Sequence, residues 1–379
     1  MRKIAVLTGK RGGYGAMKPM LRAIADDPGL ELQLIATDQH LNAAFGKTIA
    51  EIEKDFAVAA AVDIEQRDGS PVARAEALGT CTTRMAAVLA RLAPDILVLY
   101  GDRGEVLATA LAAIHLRIPL AHIQGGDLSG NVDETIRHAL TKLAHLHFPS
   151  TAASAERIRR MGEEDWRITV AGDNHVDQIV AGTYTPAPEL RARFGIPDGE
   201  RPIIVLLHPE TVRPRDQYAD ARLVLDTVLA RGRRTLVVYP CSDHGWEEIV
   251  RAIDEVRDAP GISVHRNIEA PDFWGLQAMA AVLVGNSSAG LIETPYFRLP
   301  AINLGERQKG RERAENVIDS DFDRTALVRA LDTAMDDRDF LERVRRCSQP
   351  FGDGRAWARI VERLKTVELA ALFDKRMVY

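Results

Sequence analysis

Ile96-Leu97-Val98-Leu99-Tyr100, then Gly101-Asp102-Arg103-Gly104, then the amphipathic run Glu105–His115, then Leu120-Ala121-His122-Ile123: this stretch decides the fold. An apolar run, a turn, a helical segment and a second apolar run make a strand–helix–strand unit, whose helical crossover requires the two strands to be parallel. The pattern extends both ways. Ile4–Thr8, Glu31–Ala36, Ala60–Ile64 and Ile168–Val170 read as further strands, and Met17–Asp26, Phe45–Lys54, Ala73–Leu92, Glu134–His145 and Ala152–Met161 as helices. The prolines of Thr183-Tyr184-Thr185-Pro186-Ala187-Pro188 then interrupt it. Beyond them the alternation restarts with Ile203–Leu207, Asp216–Arg231, Thr235–Tyr239, Gly245–Arg257, Ile262–His265, Asp272–Met279, Val282–Val284, Ala289–Phe297 and Ala301–Leu304. The expectation is an α/β protein of two Rossmann-like domains, residues 1–182 and 183–354, with a cleft between them. A C-terminal helical segment, 355–379, packs back on the first. Ligands of such sheets bind beyond the carboxyl ends of the strands, so the residues that follow each strand are the ones to inspect.

Composition narrows the function. Of 379 residues 46% are hydrophobic and 27% charged, which excludes a disordered or fibrous chain. Basic residues number 49 against 54 acids, a net charge of −5, so no nucleic-acid partner is expected. No apolar stretch reaches the roughly 18–20 residues that cross a bilayer, and Ile4–Leu7 is too short for a signal-peptide core. No membrane association and a cytoplasmic location are expected. Cys81, Cys241 and Cys347 are odd in number and far apart, which fits reduced thiols better than a disulfide framework or a metal knuckle. His138, His145 and His147 lack zinc-binding spacing, so no metal is expected; His145 and His147 read as packing residues between a helix and the next strand.

Four segments carry chemistry. Gly9-Lys10-Arg11-Gly12-Gly13-Tyr14-Gly15 follows the first strand and opens a helix, a place where backbone approaches a ligand closely and an anion is favoured. Asp102 follows the strand 96–100. Gln124-Gly125-Gly126-Asp127 follows the next strand, and Asp133-Glu134-x-x-Arg137-His138 then opens a helix in which Asp133/Arg137 and Glu134/His138 are i,i+4 pairs. Carboxylates gathered at one edge push their pKa values apart, as acid/base chemistry requires. In the second domain His208 ends a strand. Gly285-Asn286-Ser287-Ser288-Ala289-Gly290-Leu291-Ile292-Glu293 joins a strand to a helix N-terminus suited to a diphosphate, with Glu293 able to accept hydrogen bonds from a ribose. Arg307 and Arg311 follow the next strand and add positive charge.

Together these segments resemble the UDP-N-acetylglucosamine 2-epimerases, and more narrowly their hydrolysing branch. The most specific piece is Asp133-Glu134-Thr135-Ile136-Arg137-His138-Ala139-Leu140-Thr141-Lys142-Leu143, supported by Gly101-Asp102-Arg103-x-Glu105 and Asn286-Ser287-Ser288-x-Gly290. The non-hydrolysing branch carries a Lys where Ala16 stands. The resemblance implies a GT-B-like fold, no cofactor, a homodimer by default, and a nucleotide-sugar substrate. It implies that Gly9, Arg11, Tyr14, His208, Asn286, Ser287, Ser288, Gly290, Glu293, Arg307 and Arg311 hold UDP. Asp102, Asp133 and Arg137 would lie at the sugar, with Glu134, His138, Gln124 and Asp127 alongside. The implied chemistry is loss of the C2 proton with anti elimination of UDP, then addition of water to the glycal. Many relatives have an acid where Gly13 stands and Glu or His where Gln124 stands. Gln cannot exchange a proton near neutral pH, so that role is lost or passes to a neighbour such as Asp127. These departures point to a modified sugar, such as a UDP- or GDP-linked 2,4-diacetamido-2,4,6-trideoxyglucose. A GT-B glycosyltransferase and an inactive nucleotide-sugar-binding protein are the competing readings.

Overall fold

The computed structural model describes residues 1–43, 46–68, 70–129, 133–210, 215–240 and 245–378. Phe45, Thr211 and Cys241 lie outside them. Two compact units are present: residues 1–127, 133–177 and 351–379 form one, and 128–132 and 178–350 the other. The chain thus changes unit at 177/178 and 350/351, a few residues before 182 and 354, and the proline-rich stretch lies inside the second unit.

The first unit contains β1 (Arg2–Thr8), β2 (Leu30–Thr37), β3 (Val58–Val62), β4 (Ile96–Tyr100), β5 (Leu120–Ile123) and β6 (Leu146–Phe148). They form one sheet in the order β3-β2-β1-β4-β5-β6, every neighbouring pair parallel. β4 and β5 are buried along their whole length, as strands covered by helices on both faces must be. The helices are α1 (Arg11–Asp26), α2 (Ile49–Asp55), α3 (Pro71–Leu92), α4 (Gly104–His115), α5 (Asp133–Leu143), α6 (Ala152–Arg160) and α7 (Asn174–Val180), the last running across the 177/178 division. Packing follows from spacing. α3 buries Ala73, Ala77, Cys81, Met85 and Leu89, one residue every four, and its N-terminus is capped by Ser70 Oγ on the Ala73 amide at 3.2 Å.

The second unit contains β7 (Ile203–Leu206), β8 (Thr235–Val238), β9 (Ile262–His265), β10 (Val282–Gly285), β11 (Ala301–Leu304) and β12 (Val317–Ser320). Their order, β12-β11-β10-β7-β8-β9, repeats that of the first sheet, again all parallel. Its helices are α8 (Ala187–Phe194), α9 (Gln217–Leu229), α10 (Trp246–Asp254), α11 (Ala270–Met279), the short α12 (Ala289–Ile292), α13 (Arg324–Asp336) and α14 (Arg338–Arg345).

The chain then re-enters the first unit as α15 (Ala356–Thr366) and α16 (Leu369–Leu372). Ala356, Ile360, Val361 and Leu364 of α15 share one core with Met17, Met20, Leu21 and Ile24 of α1. Asp177 holds the start of α15, accepting from the amides of Ala356 (2.8 Å) and Trp357 (2.9 Å). Beyond α16, Lys375 Nζ caps the end of α5 through the carbonyls of Lys142 (2.7 Å) and Ala144 (2.5 Å) and pairs with the buried Glu163 at 2.8 Å.

One strand differs from expectation. The sixth strand of the first sheet is Leu146–Phe148, and Ile168 makes only an isolated bridge to His147. His145 and His147 mask the apolar period of this three-residue strand, whereas Val170 is 41% exposed. β12 has a weak signal for the opposite reason: it is a half-exposed edge strand reading Val-Ile-Asp-Ser.

Candidate active site

In each sheet the strand order reverses between the first and fourth strands, β1/β4 and β7/β10, and the crevice beyond such a reversal is the ligand position of this architecture. The loops after β1, β4, β7 and β10 are Gly9–Lys10, Gly101–Arg103, Leu207–Glu210 and Asn286–Ser288. All four were singled out from sequence.

In the first unit, α1 begins at Arg11, so the glycine-rich loop is only Gly9 and Lys10 long, and Gly12, Gly13 and Gly15 are helical. Gly9 is required by close approach: a Cβ there would lie 2.6 Å from Glu105 Oε1. Arg11 at the helix start pairs with Glu51 at 3.0 Å and remains half exposed. Tyr14, expected at the ligand, is instead a core residue. One turn into α1 its ring packs edge-on to Phe56 and His40, and its hydroxyl donates to Asp55 at 2.7 Å. Gly13 faces the Tyr100 ring, with 3.3 Å between its virtual Cβ and Cδ1.

Asp102 stands in the turn after β4. Beneath it the buried His122 donates from Nε2 to the Gly101 carbonyl at 2.7 Å, and burial lowers this imidazole to about 4, keeping it neutral. The Asp102 carboxylate receives the Arg137 guanidinium of α5, which is buried and also donates to the Asp127 carbonyl at 2.9 Å. The second turn of α5 thus brings Arg137 to the end of β4. Glu134 and His138 form their i,i+4 pair at 3.6 Å, and Asp133 is the half-buried first residue of α5. Asp127 is buried and accepts from Ser154 Oγ at 2.6 Å.

Sequence reasoning missed two networks at this edge. Glu105, fully buried, is paired with Arg74 at 2.5 Å and Arg103 at 3.4 Å. Burial pushes its carboxyl up, but the two guanidiniums outweigh that and hold it ionised, while burial and the Glu105 charge raise the neighbouring Asp38 to about 6. The second network centres on the buried Asp173, whose Oδ2 accepts from Gln124 Nε2 (2.8 Å) and Ser150 Oγ (3.2 Å) and whose Oδ1 lies 2.9 Å from His175 Nδ1. Burial raises this carboxyl and the bonds from His175 and Gln124 more than reverse it, leaving it at about 2. Gln124 takes a left-handed backbone, φ +64°, to reach it. The signal was present: Ala171-Gly172-Asp173 directly follows the run Ile168–Val170 that reads as a strand.

In the second unit the site is built from backbone and amides. Asn286, fully buried, clamps β10 to the loop after β7: its Oδ1 accepts the His208 amide (2.7 Å) and its Nδ2 donates to the His208 carbonyl (2.9 Å). Gly285 has φ +153°, and a Cβ there would collide with the Leu206 carbonyl. Ser287 Oγ accepts the Ala289 amide at 3.3 Å, and Ser288 is the residue preceding α12. Gly290 allows α12 to lie on β10, since a Cβ there would sit only 3.3 Å from Leu283 Cδ2. Glu293 ends that turn and accepts from Gln277 at 2.6 Å. The helical run read over 289–297 is two pieces, α12 and a 3₁₀ turn at Thr294–Phe297, because Pro295 supplies no amide. Glu210, not assigned a role from sequence, accepts the amides of Glu306 (2.7 Å) and Arg307 (3.3 Å) and so fixes the loop after β11. Arg307 and Gln308 both donate to the Asn286 carbonyl, at 3.4 and 3.0 Å, and Arg311 donates to Gln308 Oε1 at 3.1 Å. His208, Asn286, Arg307 and Arg311 are therefore joined through one hydrogen-bond network, with Ser287 and Ser288 next to Asn286 in the chain, whereas Glu293 bonds to Gln277.

Known proteins share this pattern. The chain matches the UDP-N-acetylglucosamine 2-epimerase family over residues 22–365. It is 34% identical to the hydrolysing UDP-N,N'-diacetylbacillosamine 2-epimerase of Legionella pneumophila, over 97% of each chain. It is 30% identical to the UDP-N-acetylglucosamine 2-epimerase of Neisseria meningitidis over 88% of each. In fold it is similar to the crystal structure of the UDP-GlcNAc 2-epimerase from Neisseria meningitidis bound to UDP-GlcNAc, with TM-score 0.83 and 18% identity over 96% of this chain and 99% of that one. With nearly its whole length matched and two like sheets carrying the expected loops at their reversal points, the chain belongs to the UDP-N-acetylglucosamine 2-epimerase family.

Proposed function

We propose that the protein is a hydrolysing nucleotide-sugar 2-epimerase that converts a UDP-linked 2-acetamido sugar, UDP-N-acetylglucosamine or its 2,4-diacetamido-2,4,6-trideoxy analogue, to the free 2-epimer and UDP. The observation that carries this reading is the Asp102–Arg137 pair at the carboxyl edge of the first sheet. It is a carboxylate held in place by a buried cation where a sugar must lose and regain a proton. In this reading Asp102, Asp133 and Arg137 act at the sugar, with Glu134, His138, Gln124 and Asp127 around them. His208, Asn286, Ser287, Ser288, Gly290, Glu293, Arg307 and Arg311 hold UDP, with Gly9 and Arg11 contributing from the first unit. Removal of the C2 proton forms the C1=C2 bond as the C1–O bond breaks, and the cations stabilise the departing diphosphate. Water then supplies a hydroxyl to C1 and a proton to the opposite face of C2. A homodimer and a cytoplasmic location complete the proposal.

The diacetamido donor is supported by Gly13, which leaves the Tyr100 ring uncovered by any side chain at that position, and by the Legionella relative, named for such a sugar. NMR of the products from both donors in D₂O tests both levels. Release of UDP with deuterium at C2 is expected, and faster turnover of the diacetamido donor. UDP release without deuterium would instead mark a glycosyltransferase or simple hydrolase, and a strong preference for UDP-N-acetylglucosamine would remove the modified sugar.

A further inference from the structure

At the carboxyl edge of the first sheet most acid/base groups are already committed. Asp102 is paired with Arg137, Glu105 with Arg74 and Arg103, and Asp127 is buried on Ser154. Gln124, which follows β5, exchanges no proton near neutrality and spends its amide on Asp173. The opposite oxygen of that carboxylate holds His175, through the backbone amide and through Nδ1, both at 2.9 Å. Tyr100, the last residue of β4, brings its hydroxyl to 3.2 Å from the same Nδ1. The imidazole is held by two partners at Nδ1 while its side chain stays 29% exposed. Between the two residues, Asn174 is fully buried with neither side-chain nitrogen nor oxygen hydrogen-bonded among the described residues, an amide that a polar ligand group or water would satisfy.

We propose that His175 exchanges the sugar's C2 proton and that Asp173 is its positioning residue; this rests on the reading of the chain as a hydrolysing 2-epimerase. With Nδ1–H given to Asp173, Nε2 carries the lone pair. It accepts the C2 proton, the C2–H electron pair becomes the C1=C2 bond, and the C1–O pair leaves with the β-phosphate oxygen of UDP. The buried Asp173 carboxylate stabilises the imidazolium without taking its proton. Water next adds its hydroxyl to C1 and its hydrogen to the opposite face of C2, and the imidazolium returns its proton to solvent. The assignment places acid/base chemistry one hydrogen bond away from Gln124 rather than on Asp127.

His175→Ala is expected to lower kcat by about 10²–10⁴-fold with KM and UDP affinity nearly unchanged, and added imidazole should restore part of the rate. Purely structural damage would not be repaired by imidazole. His175→Gln keeps a donor for Asp173, so it carries the same expectation of lost rate should the alanine variant fail to fold. An enzyme whose kcat is indifferent to both substitutions, or whose loss tracks lost UDP binding without imidazole rescue, overturns the assignment. If the unsubstituted enzyme releases no UDP from either donor, the functional reading itself fails; an active enzyme indifferent to His175 removes only this proposal.

Discussion

The two sheets share one strand order, yet their carboxyl edges are furnished differently. In the first unit buried side chains carry full charge there: Arg137 on Asp102, Arg74 on Glu105 and Asp38, and Asp173 under His175. In the second, the buried links are neutral, with Asn286 spanning His208 and Gln308 reaching back to Asn286, while the charged Glu210 and Arg307 that tie in the loop after β11 are only half-buried. A buried charge persists only with a partner, and such pairs hold proton-exchanging groups in fixed geometry. A lattice of amides and backbone N–H groups instead suits a ligand that brings its own charge. The fold supplies two similar crevices, and in the proposed function their side-chain chemistry divides the labour between them.

The sharpest way to break this division is Asp102→Asn. It should reduce kcat by about 10²–10⁴-fold while calorimetric UDP affinity stays close to that of the parent; equal loss of both would dissolve the distinction. Gly285→Ala probes the other edge. Forcing a Cβ against the Leu206 carbonyl at positive φ should cost about 3 kcal/mol or more in urea unfolding followed through the second unit.

Acid should separate the units next. Asp173 and Glu163 of the first unit are both held down at about 2, in each case because hydrogen bonds outweigh burial. Each depressed carboxyl contributes stability that is fully present above its unfolded value near 4 and is lost as pH falls toward 2, on the order of 2 kcal/mol apiece. Asp177, raised to about 6 chiefly by burial, works in the opposite sense: its charged form costs stability above pH 6, and that cost fades as pH falls to about 4. Burial also lowers three imidazoles of the same unit, His40, His122 and His145, to about 4, and each loses its contribution as pH falls from its unfolded value near 6.5 toward 4, which outweighs the gain from Asp177. Limited proteolysis with an acid-tolerant protease should therefore find the first unit weakening from about pH 6 downward and opening before the second unit does. Simultaneous opening would mean that the charged network is not what distinguishes them. The smallest effect expected is from Glu293→Gln, a loss of about 1–3 kcal/mol in UDP binding with kcat at saturating donor nearly unchanged.

How legible this was depended on the kind of signal. Strand–helix alternation places β4, β5, β9 and β11 to the residue, because apolar period and turn residues act locally. The loops bearing Asp102, Asp127 and Asn286 followed from the rule that ligands sit beyond strand ends. Tyr14 was misjudged because the true start of α1 turns its ring into the core. Asp38 and Arg74, distant in sequence from Glu105, meet only through tertiary packing, and no local pattern announces them. Asp173 stood in the open after an apolar run, but β6 was hidden by His147 within it and His145 just before it, so the strand end that matters there was misplaced.

The first unit is threaded from both extremes of the chain, since α1 finds its covering surface in α15 and α5 has its end sealed by Lys375. During synthesis the second unit can therefore condense while Met17, Met20, Leu21 and Ile24 still await Ile360 and Leu364. Whatever shields that greasy stripe on the ribosome must stay in place until α15 has emerged.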